Sequence, residues 1–172
     1  MKKLSILTCT MIALSSFMAI NVQAGPHFVT GPTASLSSTD GDYCVAFKEA
    51  GLGSGNFTFT ITATTAKFTF QCFTKSDNTP QGAPNSVNFS NLSAQTTLAS
   101  HNGSIHGTVC LQPAQDCASC QGGGLVLKLI HVEYDGVNFC DSTVNDCVNN
   151  LGDLSGDVVP GQSFPSKPPG CR

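Results

Sequence analysis

The clearest hydrophobic pattern in the chain lies between Asn56 and Phe73. The apolar side chains of its first half are two residues apart: Phe57, Phe59, Ile61 and Ala63. Those of its second half are also two apart, but one residue out of phase with the first: Ala66, Phe68, Phe70 and Cys72. This alternation is typical of a strand with one buried face.

The length of this stretch adds a second constraint. A straight strand of this length would span about 60 Å, whereas a domain of this size has a radius of gyration of about 15 Å. Because the two apolar rows are one residue out of phase, a straight strand would also place them on opposite faces of the sheet. We therefore predict that the chain turns back or bulges near Thr64–Lys67.

Turn signals separate further predicted strands. Asn102-Gly103 lies between Thr96–Ser100 and Ser104–Leu111 and predicts a hairpin there. Asp135-Gly136 predicts a second hairpin, between Leu125–Tyr134 and Val137–Cys140. Two further strands are predicted at Tyr43–Phe47 and Ser86–Leu92. Ser76–Asn85 is predicted to be a long surface loop, and Gly25–Thr39 a lead-in that is either flexible or a short edge strand.

The fold class follows from these elements. Seven or eight strands separated by turns, with no convincing 3.6-residue period, predict an all-β fold. The architecture we expect is an antiparallel two-sheet sandwich, immunoglobulin-like or Greek key and stabilised by disulfides. Residues 25–172 would form one such domain, ending in a Gly/Pro-rich tail over about 148–172.

The first residues read as a signal peptide. Lys2 and Lys3 precede an apolar run, Leu4–Ile20, and Val22-Gln23-Ala24 places small residues at the −3 and −1 positions of a cleavage site. A membrane anchor is the alternative, but the run is short and interrupted by polar residues. We predict export with cleavage after Ala24, no membrane span afterwards, and a secreted, periplasmic or cell-surface location.

Charge limits the partners of residues 25–172. Without Lys2 and Lys3, six basic residues stand against eleven acidic ones, which gives a net charge of −5. This balance argues against nucleic acid or an anionic membrane surface as a partner.

Eight cysteines remain after the predicted cleavage, and an even number in an exported chain predicts disulfides. Eight cysteines allow 105 pairings, so the connectivity stays open. Spacing favours four bonds: Cys140–Cys147, Cys72–Cys120, Cys110–Cys117 and Cys44–Cys171. Cys117-Ala-Ser-Cys120 could instead belong to a zinc or redox site, but a second matching ligand pair and a βαβ pattern are both missing.

Candidate catalytic residues are few and scattered. No GxSxG motif surrounds a serine, and the strongest titratable candidates are Glu49, His101, His106, His131 and Glu133. His101 and His106 would lie across the predicted Asn102-Gly103 hairpin, where solvated turn residues are the simpler interpretation. The acidic residues Asp141, Asp146, Asp153 and Asp157 could suggest calcium, but they lack the spacing of a calcium-binding loop, so a solvated loop is the simpler interpretation. We therefore predict no catalytic, cofactor or metal residue from motifs.

One segment carries a family resemblance. Val45–Gly53 reads VAFKEAGLG, and it is followed by the Thr/Ala-alternating strand into Cys72 and by the stretch Asn78–Gly82. Together these segments resemble a group of small exported microbial proteins of unassigned function. The resemblance runs from about Cys44 to Phe139, implies a cysteine pair equivalent to Cys72 and Cys120, and implies no activity.

Three functional hypotheses follow. The leading one is an exported non-enzymatic β-sandwich module that binds an extracellular or surface partner or joins a surface assembly, as a monomer or a disulfide-linked multimer. The first alternative is a small secreted hydrolase, which requires a concave cleft lined by at least two of the five titratable candidates above. The second is a disulfide-rich inhibitor or toxin-like protein.

Overall fold

The computed structural model describes residues 25–114 and 119–159 of the chain. The predicted signal peptide, Cys117, Cys171 and the end of the predicted tail lie outside these residues. The described residues form eight strands: β1 (His27–Leu36), β2 (Tyr43–Ala50), β3 (Asn56–Thr74), β4 (Pro80–Ala99), β5 (Ser104–Leu111), β6 (Leu125–Asp141), β7 (Asp146–Val148) and β8 (Leu154–Asp157).

The strands form two antiparallel sheets that pack face to face. The smaller sheet has the order β1-β2-β5, and the larger has the order β4-β3-β6-β7, with β8 also pairing with β6. No helix occurs in the described ranges. The prediction of an all-β, two-sheet sandwich is confirmed.

Aromatic side chains fill the space between the sheets in two clusters. In the first, the Phe47 ring lies 4.3 Å from that of Phe59 and 4.8 Å from that of Phe139. In the second, the Tyr134 ring lies 5.5 Å from those of Tyr43 and Phe68. Both buried tyrosines have hydrogen-bonded hydroxyl groups, as aromatic residues with a polar end require in a core.

A bend across the large sheet separates the two clusters. The register places Thr64 of β3 between Asn91 of β4 and Gly136 of β6. The buried rows of all three strands change phase at this level, and Asn91 and Gly136 have φ angles of 54° and 61°. The predicted irregularity near Thr64–Lys67 is therefore a bend shared by three strands, and β3 continues through it without turning back.

The second predicted hairpin is wrong because of this bend. Asp135-Gly136 does not reverse the chain, and β6 runs through it as one strand. β3 is slightly longer, with 19 residues against 17, and bends at the same level, so it offers β6 a pairing partner on both sides of Gly136. The positive φ of Gly136, which a two-residue turn would require, instead allows β6 to bend at this residue.

The first predicted hairpin is also wrong, although its turn is correct. Asn102 and Gly103 have φ angles of 51° and 73°, as a type I′ turn requires, and a bridge closes it between His101 and Ser104. Beyond that bridge the strands diverge, because β4 pairs with β3 and β5 pairs with β2. The turn therefore carries the chain from one sheet to the other, which lets both apolar rows face the same core. His106 lies opposite Lys48 of β2, not across a hairpin from His101.

Three segments are more ordered than the sequence suggests. The lead-in contains β1, a longer edge strand than expected, and β4 already begins at Pro80 inside the predicted surface loop. The Gly/Pro-rich region contains β8, which pairs with β6 at His131–Tyr134. These segments form strands although their alternation is weak, because backbone groups of the long strands beside them would otherwise be unpaired.

The described disulfides confirm two of the expected pairings and correct two. Cys72–Cys120 and Cys140–Cys147 are bonded as predicted. Cys44 is bonded to Cys110, so the expected Cys110–Cys117 and Cys44–Cys171 bonds are wrong. The reason is the pairing of β2 with β5, which places Cys44 and Cys110 directly opposite each other. The predicted hairpin pairs β5 with β4 instead, and that pairing does not place Cys110 opposite Cys44.

We expect Gly136→Ala to destabilise the protein by about 1–3 kcal/mol. A Cβ at this position would lie 2.6 Å from Thr64 Oγ1, and the φ of Gly136 is unfavourable for alanine. Urea unfolding followed by circular dichroism measures the change. Gly123→Ala is the matched control, since a Cβ there meets nothing within 4 Å. Equal stability of the two variants would show that the bend does not depend on Gly136.

Candidate functional site

The five titratable candidates fall in three separate places. His131 and Glu133 lie on the outer face of β6, and His101 and His106 line a depression beside the Asn102-Gly103 turn. Glu49 is fully buried between the sheets. The structure therefore does not bring all five into one cleft.

The outer-face residues form a charged network. His131 Nδ1 lies 2.7 Å from Asp157 Oδ1, and Glu133 Oε1 accepts a hydrogen bond of 2.8 Å from Lys67 Nζ. The Lys67 hydrogen bond holds the pKa of Glu133 below its usual range. These contacts join β8, β6 and β3 across an open sheet face, so they attach β8 to the sheet.

The depression has a volume of about 410 Å³ and six lining residues: Leu98, Ala99, His101, Ser104, Ile105 and His106. It satisfies part of the hydrolase hypothesis, because two candidate histidines share it. None of these lining residues is a carboxylate that could orient a histidine. The Ser104 hydroxyl donates to the His101 carbonyl oxygen at 3.2 Å, so in this arrangement it is not engaged with an imidazole.

Glu49 belongs to a buried carboxyl cluster. It is the last inward-facing residue of β2, after Phe47, and it is 0% exposed. Asp141, at the end of β6, is likewise 0% exposed, and its carboxyl group acts electrostatically on that of Glu49. Asp146 of β7 is the cross-strand partner of Asp141, so three acidic side chains meet at one end of the core.

The electrostatics of the cluster are unfavourable for charge. Burial, followed by the nearby Asp141 and Asp146 carboxylates, raises the pKa of Glu49 to about 8. Both Glu49 oxygens, together with Asp141 Oδ2 and Asp146 Oδ2, are buried without a hydrogen-bond partner among the described residues. Asp141 Oδ1 accepts a hydrogen bond of 2.7 Å from the Thr143 backbone N–H.

Sequence reasoning identified Glu49 as a candidate but placed its partners Asp141 and Asp146 in a solvated loop, which is wrong for Asp141 because it is a fully buried residue of β6. The signal was present in the alternation: Glu49 is in phase with Val45 and Phe47, and Asp141 is in phase with Val137 and Phe139. An acidic residue on a buried row is unusual and points to a specific role. The linear spacing of the aspartates could not reveal a cluster whose third member comes from the opposite sheet.

A second group of potential ligand atoms does not form a metal site. Asp42, Cys44 and Cys110 have ligand-type atoms within 4.8 Å of one another. Cys44 and Cys110 are bonded to each other, so neither is available as a thiolate ligand.

The free edge of β4 is the remaining candidate surface. Among the described strands, β4 ends the larger sheet and its outer edge pairs with none of them; it spans 20 residues and carries no acidic or basic residue. Its inward row is only half-buried, unlike the fully covered row of β3: Val87, Phe89, Leu92, Ala94 and Leu98. The side chains between them are exposed.

No protein-family model matches the chain, and no curated protein matches it significantly. The resemblance carried by Val45–Gly53 therefore stays a prediction. Among the described residues, none lies in a helix of the length and apolarity needed to cross a membrane.

We expect the free energy of unfolding to decrease as the pH rises from about 4.5 to about 8 in metal-free buffer. The Glu49 pKa is raised in the folded protein, so folding takes up a proton in this range, and the stabilisation is lost as Glu49 ionises. Denaturant midpoints across the range measure the slope. Glu49→Gln should flatten that slope, because glutamine is neutral throughout, whereas an unchanged slope would assign it to other groups.

Proposed function

We propose that this chain is an exported, non-enzymatic β-sandwich module of an extracellular or surface assembly, and that two copies associate by pairing their β4 edges. The observation that supports this proposal is the free edge of β4, which is long, uncharged and lined by a half-buried apolar row. The three described intrachain disulfides are consistent with an oxidising environment outside the cell.

The β4 edge lacks the usual protection against association. Natural edge strands are shortened, charged, bulged or interrupted by proline, because their unpaired backbone groups can pair with another strand. In β4 proline and register shifts are confined to the start, with Pro80, Pro84 and a register shift opposite Phe70–Cys72, and the bend at Asn91 is a further irregularity that leaves the register with β3 continuous. The stretch from Asn85 to Ala99 has neither proline nor charge.

The pattern of β4 favours a second copy as its partner. The phase change at Ser90-Asn91 makes the inward row symmetric about that point. If two β4 strands pair antiparallel about Ser90-Asn91, Val87 faces Ala94 and Phe89 faces Leu92 of the second copy. Both halves of the inward row of β4 then remain on the inner face of the joined sheet. A register shifted by one residue would place apolar residues of one copy opposite exposed residues of the other.

Charge is compatible with this pairing. The predicted mature chain has a net charge of −5, so two copies repel each other at most of their surface. At β4 no charged residue lies between Asp77 and His101, so the edge itself adds no like-charge contact. Pairing would also cover apolar side chains that are now half-exposed.

The hydrolase is the weaker proposal. Among the described residues, the depression at His101 and His106 meets its required cleft, and none of the lining residues there is a carboxylate. The outer-face pair His131 and Glu133 lies on an open sheet with its polar atoms engaged by Asp157 and Lys67.

The β4 pairing predicts a specific response to charge. Asn88 and Ser93 are exposed residues that would face each other across the junction between copies. Asn88→Lys/Ser93→Lys places like charges opposite each other twice, and should raise the dimer Kd roughly tenfold or more. Asn88→Lys/Ser93→Asp places opposite charges at the same points and should retain the dimer. Size-exclusion chromatography with light scattering measures the oligomeric state of each variant.

Two controls decide the interpretation. Thr39→Lys/Ser54→Lys adds the same charge in exposed loops and should leave the dimer intact. The wild-type dimer should also persist under mild reduction. A monomeric wild type, or equal behaviour of the two Asn88/Ser93 variants, contradicts pairing through β4. A multimer that reductant disperses points instead to a disulfide between chains.

A further inference from the structure

Four buried carboxylate oxygens at one end of the core have no hydrogen-bond partner in the part of the chain that the structure describes: Glu49 Oε1, Glu49 Oε2, Asp141 Oδ2 and Asp146 Oδ2. Buried polar atoms are normally satisfied, and leaving them unpaired costs free energy. We propose that Glu49, Asp141 and Asp146 form a binding site for a hard divalent cation, with Ca²⁺ as the fitting ion.

The backbone register itself brings like charges together. Asp141 and Asp146 are direct cross-strand partners in the β6–β7 pair, so their side chains lie on the same face of the sheet. Like charges directly opposite each other destabilise a strand pair. Glu49 then adds a third carboxyl group from the opposite sheet. A cation between them would convert this repulsion into attraction.

A shared proton accounts for fewer of these atoms than a cation does. One proton between Glu49 and Asp141 satisfies one oxygen of each and leaves the second Glu49 oxygen and Asp146 Oδ2 unpaired. The charged groups that act on Glu49 are Asp141 and Asp146, and no basic side chain among the described residues offsets them. A divalent ion can contact all four oxygens once Asp146 moves toward the other two carboxyl groups.

The donor set favours Ca²⁺ over other metals. Carboxylate oxygens without nitrogen or sulfur suit hard cations, and Ca²⁺ accepts irregular geometry and bidentate carboxylates. The Thr143 N–H fixes Asp141 Oδ1, which leaves Oδ2 for the ion. The three carboxyl groups do not all lie within 4.8 Å of one another, so we expect Asp146, the least buried, to move toward the other two on binding.

The experiment uses the oxidised, full-length mature protein after treatment with a chelator. We expect CaCl₂ to raise its Tm, by roughly 5–10 °C at a concentration about 100 times the Kd. Isothermal titration calorimetry with CaCl₂ should show one site per chain. Both measurements are made at one fixed pH, so that titration of the cluster does not contribute.

Substitutions locate the site. Glu49→Gln and Asp146→Asn each remove one ligand charge and should abolish the calcium-dependent rise in Tm and the binding heat. Asp146→Asn provides a second test if the more buried Glu49 variant does not fold. Asp135→Asn is the matched control, because Asp135 is exposed and outside the cluster, and it should respond to CaCl₂ like the wild type.

Three results would overturn the proposal. One is the absence of binding heat and of any Tm change in the wild type. Another is a calcium response that survives in both cluster variants, which would place the ion elsewhere. The third is a wild type insensitive to CaCl₂ together with a Glu49→Gln variant of higher Tm, which would identify the cluster as a pair of carboxyl groups sharing a proton.

Discussion

The structure depends on keeping the inner face of β3 buried along its whole length. β3 pairs with β4 on one side and β6 on the other, and it contributes to both aromatic clusters. A strand this long in a small domain must bend, and the bend would expose one apolar row unless its neighbours changed phase at the same level. Thr64, Asn91 and Gly136 meet this requirement together. Every other element is placed relative to that bent sheet.

Much of the fold was predictable from local patterns. The alternation in β3 identified the central strand and located its irregularity, and Asn102-Gly103 identified a real turn. What failed was the choice of pairing partner. A two-residue turn signal specifies the local φ angles, but whether the flanking strands then pair depends on distant strands that compete for the same backbone groups. For the same reason Gly136 was assigned to a turn, although it lies within β6.

The candidate sites likewise combine features that a single segment predicts with features that depend on which strands pair. Glu49 could be selected from the sequence as a glutamate on an apolar row, and the polar face of β4 could be read from its alternation. The cluster with Asp141 and Asp146 could not, because it depends on which strands face each other across the core. The free edge of β4 is likewise a property of strand order, which no single segment encodes.

The described disulfides have a mechanical consequence. Cys44–Cys110 joins two strands of the smaller sheet, Cys140–Cys147 joins two strands of the larger one, and Cys72–Cys120 fastens the loop before β6 to β3. None of these three bonds links a strand of one sheet to a strand of the other. Within residues 25–114 and 119–159, a load that pulls the sheets apart would therefore be opposed by side-chain packing, by the tyrosine hydrogen bonds and by the chain crossings, without a covalent bond between strands of the two sheets. Each sheet would be covalently reinforced against sliding between its own strands, and separation under load would occur at the interface between the two sheets.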